Sequence, residues 1–125
     1  MLWQANPYAI PMAISGVVAL LVAAVTWRRR AIAGVPALAL LGLCAGMWSL
    51  LYAVELSTPS RAVAIGLAKA EYVAIVLVPV AWLTFARHYA GRGRRLSALQ
   101  RAAFAVVPIV TLLIAWTNEA HGLFW

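Results

Sequence analysis

Apolar residues fall into four runs, at about 8–27, 35–56, 62–89 and 102–117, and polar residues collect in the short stretches between them. The first run is near the roughly 20 residues that a helix needs to cross a hydrocarbon core. Pro11 is tolerated in its first turn. Arg28, Arg29 and Arg30 follow this run, whereas a cleaved signal peptide would carry its charge ahead of the apolar stretch, so the segment is expected to stay as a span. The second run starts beside Pro36 and ends at the turn-forming Ser57, Thr58, Pro59 and Ser60. At 1.5 Å per residue the third pattern is roughly 40 Å long, more than the core requires, so part of it must tilt or project into the headgroups. The fourth run is short and has Pro108 near its middle.

Charge orients these spans. One loop holds Arg28 to Arg30 and another Arg87, Arg92, Arg94, Arg95 and Arg101, while Arg61 and Lys69 alone remain for the opposite side. Basic loops stay in the cytoplasm, which places Met1, the Ser57 to Ser60 turn and Trp125 outside. Trp3, Tyr8, Trp27, Tyr52, Tyr89, Trp116, Phe124 and Trp125 fall near the span ends, where amphipathic rings favour the headgroup level.

Composition narrows the class further. The chain is 66% hydrophobic and 10% charged, with a mean hydropathy of +0.93, far from the roughly 45–50% apolar content of soluble domains. The fold class is therefore all-α: an integral membrane helical bundle of four transmembrane helices, its N-terminus outside, as a single domain over residues 1–125. A net charge of +7 invites a nucleic-acid reading. Such a binder needs its basic residues on one water-facing surface, whereas here they sit in loops between spans, so no nucleic acid is expected. Cys44, the single cysteine, reads as a small packing residue.

Candidate chemistry is sparse. There is no aspartate, and the acids are Glu55, Glu71 and Glu119. The sequence has no Walker loop, no HExxH helix and no CxxC pair. His88 and His121 fall on opposite sides of the membrane in this topology and cannot share a metal. No cofactor, metal or catalytic activity is expected of the chain. Lys69, Glu71 and Tyr72 are the most suggestive group, since an ionisable residue at the centre of a span costs about 2.5–3.5 kcal/mol on insertion scales. At 100° per residue Lys69 and Glu71 lie about 200° apart, so one faces the bundle and the other faces headgroups or a neighbour. Glu55, across the hairpin, is the expected partner of Lys69 or Arg61. Glu55, Lys69 and Glu71, with Tyr72, Asn118 and His121, form the candidate sensing cluster, at an outward-facing cavity for an unidentified small ligand. Gly42 and Gly46 make a GxxxG pair suited to close packing within the chain. Pro79 and Pro108 are expected to kink their spans.

Several ordered motifs go together: Asn6-Pro7-Tyr8, Lys69-Ala70-Glu71-Tyr72, the run from Pro79 to Ala86, Tyr89-Ala90-Gly91, and the stretch from Thr117-Asn118-Glu119 through His121 to Trp125. In this order the chain resembles the N-terminal seven-helix membrane region of bacterial and archaeal sensor histidine kinases. The resemblance implies a sensor placed ahead of cytoplasmic signalling domains, of which this chain covers about the first four helices as a fragment of a larger seven-helix region. No phosphoacceptor carries over, because Ala86-Arg87-His88-Tyr89 lacks the acidic neighbour of the kinase motif.

The function expected is a sensory and signal-transducing membrane region of a histidine kinase-type receptor in a two-component system, without a catalytic domain in this chain. It would sit as a multi-pass protein in the plasma membrane. Its expected partners are the lipid bilayer, a small ligand, and a second copy or output signalling domains. Two alternatives come from other classes. A small four-helix transporter needs a carboxylate deep in a span, and the first span carries no charge. A structural membrane subunit would use the Gly42 and Gly46 face for contact. A retinal receptor is disfavoured because Lys69 lies in the third span rather than a late one.

Overall fold

The computed structural model describes residues 6–91 and 96–124. The sequence readings that fall on Met1, Trp3, Arg92, Arg94, Arg95 and Trp125 lie outside the described residues. The described residues form five helices and no strand: α1 (Ala9–Trp27), α2 (Val35–Ser57), α3 (Arg61–Tyr89), α4 (Ala98–Trp116) and the short α5 (Asn118–His121). The first four are long and apolar enough to cross a membrane, so the protein is an all-helical, multi-pass membrane protein.

Local chemistry sets where the helices begin and end. Gly34 takes a left-handed conformation (φ 85°) before α2, and Pro36 occupies the first turn, where a missing N–H costs nothing. Ser60 caps α3 by accepting from the Val63 amide. At α4 the Ser97 hydroxyl accepts from the Gln100 amide at 3.2 Å, while the Gln100 side chain accepts from the Ser97 amide at 3.1 Å. This reciprocal capping box starts α4 at Ala98, ahead of the apolar run itself. Pro79 and Pro108 lie inside α3 and α4, where each lacks the N–H that would bond the carbonyl four residues earlier.

Packing is serial. Each spanning helix meets its chain neighbours, α1 on α2, α2 on α3 and α3 on α4, and among the described residues α1 approaches neither α3 nor α4. The helices thus stand in a row, with the α1–α2 seam the most extensive and the α3–α4 seam the thinnest. The buried residues along these seams are small: Ala23, Ala37, Ala39, Cys44, Ala53, Ala74, Ala81 and Ala115, with Val76 the one larger aliphatic among them. Many larger apolar side chains, such as Ile14, Leu21 and Leu113, are exposed. Lipid tails solvate large aliphatic groups as well as a protein core does, so small residues that let backbones approach define the seams.

The tightest approach joins α1 to α2. A Cβ added to Gly46 would stand 3.0 Å from the Gly16 carbonyl oxygen and 2.7 Å from the Leu20 side chain, and one added to Gly16 would stand 3.0 Å from the Gly46 carbonyl oxygen. At Gly42 an added Cβ would meet Ala23 at 3.2 Å and the Ala19 carbonyl oxygen at 3.3 Å. Gly42 and Gly46 therefore face α1 of the same chain.

Candidate functional site

α2 and α3 are joined by Thr58, Pro59 and Ser60 alone, so they run antiparallel. Side chains on a helix lean toward its N-terminus. Glu55, near the end of α2, therefore leans toward mid-span, and Glu71, further along α3, leans back toward the hairpin turn. The two carboxyl groups converge: Glu55 and the indole of Trp48 are the polar groups that face the Glu71 side chain. Trp48 and Glu55 are seven residues apart and share one face of α2. Glu71 is 6% exposed, and its Oε1 is buried without a hydrogen-bond partner. A buried polar oxygen left without a donor costs about 1–3 kcal/mol, so Glu71 Oε1 can take a further hydrogen-bond donor.

Lys69 turns away from this pair. Its Nζ donates to Glu119 Oε1 at 2.6 Å, and its carbonyl oxygen accepts from Trp116 Nε1 at 3.3 Å. The expected pairing of Lys69 with Glu55 is therefore corrected: the ion-pair partner lies fifty residues along the chain. The cause is helical phase. Lys69 points to the corner after α4, and Glu71 points to α2, as an angle near 200° between them requires. Arg61 is exposed in the first turn of α3.

That corner is built from the chain's closing motif. The buried Asn118 accepts from the Phe124 amide through Oδ1 at 2.8 Å and from the Gly122 amide through its carbonyl at 2.7 Å. Gly122 permits the reversal with φ 59°. The folded-back segment sets the Phe124 ring edge-on to Tyr72, with centroids 5.1 Å apart. His121 completes the corner. Its Nδ1 accepts from the Leu123 amide at 3.1 Å, which leaves Nε2 to donate to the Thr117 hydroxyl at 3.1 Å. The Thr117 hydroxyl in turn donates to the Leu113 carbonyl at 2.6 Å. Both imidazole nitrogens are thus engaged in local structure.

The residues named from the sequence accordingly separate into two groups on either side of α3. Glu55 and Glu71 meet in the α2–α3 seam, whereas Lys69, Tyr72, Asn118 and His121 belong to the corner. The sequence reading passed over Trp48, whose spacing from Glu55 was the available signal, and left Glu119 out of the cluster although it is one of only three acids. Pro79 and Pro108 line one cavity of about 350 Å³ between α3 and α4. At the opposite end of α3, His88 Nδ1 lies 2.8 Å from the Thr84 carbonyl. Among the described residues no group of three or more His, Cys, Asp and Glu side chains is placed to hold a metal ion.

The profile of the N-terminal 7TM region of histidine kinase matches residues 11–125. Searches of curated proteins and of solved structures returned no match.

Proposed function

Because the chain belongs to the N-terminal seven-transmembrane region of histidine kinases, of which it covers roughly four helices, we propose that it receives a stimulus in the membrane and passes it on as a change in helix packing. The chain acts without catalysis of its own. It lies in the plasma membrane with its N-terminus outside, and signalling domains that read the packing change supply the output. The input site is the α2–α3 seam at Glu55, Glu71 and Trp48.

One observation carries this reading: a carboxyl oxygen of Glu71 is buried without a partner, opposite a second carboxyl group. Stability alone gives no reason to keep such a residue in an apolar span. A small ligand that satisfies Glu71 binds one arrangement of α2 and α3 better than others and shifts the population toward it. The chemistry suits a compact cationic or hydrogen-bond-donating ligand.

The test is autophosphorylation in membrane vesicles of the protein encoded by the whole reading frame that contains these residues. Glu55→Gln and Glu71→Gln, alone and together, are expected to change the rate several-fold. Unchanged output with Glu55 and Glu71 both neutralised would remove the seam as the input site.

A further inference from the structure

A cavity of about 440 Å³ opens between α3 and α4 and is separate from the carboxylate seam. Its walls are apolar along most of their length, from Val73 to Leu83 on α3 and from Phe104 to Leu112 on α4, and Arg87 and Arg101 line its other end. From Val73 to Arg87 the helix rises about 21 Å at 1.5 Å per residue. One leaflet contributes about half of a hydrocarbon core of roughly 30 Å. The cleft is therefore deep enough for one acyl chain, with the two guanidinium groups at the level of the headgroups.

Charge at this end has one sign. No aspartate or glutamate occurs between residues 72 and 118, so neither α4 nor the part of α3 beyond Glu71 carries a negative side chain at this end. Arg101 is exposed and Arg87 half-buried. Guanidinium forks match phosphate oxygens in bidentate geometry. A packed helix occupying the cleft would have to bring its own acid to this end, and a free anion would leave the apolar walls unused. We infer that the α3–α4 cleft is a binding site for one anionic glycerophospholipid, its phosphate on Arg87 and Arg101 and an acyl chain between Val76, Leu83, Ala105 and Pro108. Basic pockets between spanning helices on the cytoplasmic side bind acidic lipid headgroups by this chemistry. Such a lipid also thickens the thinnest of the three seams.

The test is native mass spectrometry, in detergent, of the protein encoded by the whole reading frame that contains these residues, with added phosphatidylglycerol, phosphatidylcholine or inorganic phosphate. Retention of one phosphatidylglycerol, at least tenfold over phosphatidylcholine and undiminished by excess inorganic phosphate, is expected. Arg101→Gln, at an exposed position that does not endanger folding, should abolish the preference. Ala105→Trp should fill the cleft and displace the lipid, whereas Val106→Trp on an exposed face of α4 should not. Equal retention of the two lipids overturns the inference, as does a preference that survives both Arg101→Gln and Ala105→Trp. Capture of a second protein copy instead of lipid by a photocrosslinker at position 105 would also overturn it.

Discussion

Lys69 Nζ stands 2.6 Å from Glu119 Oε1, while Glu71, two residues from Lys69, buries its carboxyl group on the opposite side of the same helix. α3 therefore offers a cation to the corner after α4 and an acid to α2.

The ion pair should contribute little by itself. Its side chains are 22% and 69% exposed, and solvent-exposed pairs are worth roughly 0–1 kcal/mol. Glu119→Gln should lower stability by less than about 1 kcal/mol. The exchange Lys69→Glu with Glu119→Lys should recover most of that loss in a double-mutant cycle read by thermal melting in detergent.

Glu71 should behave in the opposite way. Glu71→Leu removes a buried oxygen without a partner and puts an apolar group in the seam, so the protein should gain about 1–3 kcal/mol. The same substitution should abolish the response to stimulus. Unfolding measured in mixed micelles, paired with the vesicle assay above, reads both effects, and a destabilised Glu71→Leu would contradict this account of the seam.

Gly46→Leu should separate α1 from α2, because its Cβ would stand 3.0 Å from a backbone oxygen that has no freedom to rotate away. Overpacking of this kind costs typically 1–3 kcal/mol. Gly42→Ala, with its closest contact at 3.2 Å, should cost less. Melting temperatures of the two variants give the order.

Ser97→Ala should remove half of the capping box and cost about 1 kcal/mol of local helix stability. Amide hydrogen exchange should quicken in the first turn of α4 and stay unchanged in α1 and α2.

Orientation is tested by labelling. Single cysteines replacing Arg29 and Pro59, in a chain whose Cys44 is changed to Ala, should react differently with an impermeant maleimide on intact cells. Position 59 should label and position 29 should not, as the arginine distribution demands.

The four long helices were legible because three apolar runs are long enough to span, the fourth is nearly so, and each is bounded by arginine, proline or a turn. Partners of the polar residues were legible only in part. The angle between Lys69 and Glu71 follows from the helical period and held, but the period fixes relative angles and not which neighbour each face meets. Glu119, fifty residues from Lys69, reaches it only after α4 has returned along α3. Trp48 was hidden because an aromatic in an apolar span reads as lipid-facing, and it is 43% exposed. Hydropathy places the start of the fourth span at its first apolar residue, whereas α4 begins earlier because Ser97 and Gln100 satisfy its free amides.

Among the described residues the spanning helices touch only their immediate neighbours, which leaves a mechanical signal within them one route. A displacement that starts in α1 or α2 reaches α4 by first moving α3, with no shortcut across the row. α3 is the bottleneck of the relay, and whatever changes its stiffness, whether the hydrogen bond missing at Pro79 or the grip of the corner on Lys69, sets how much of a stimulus gets through.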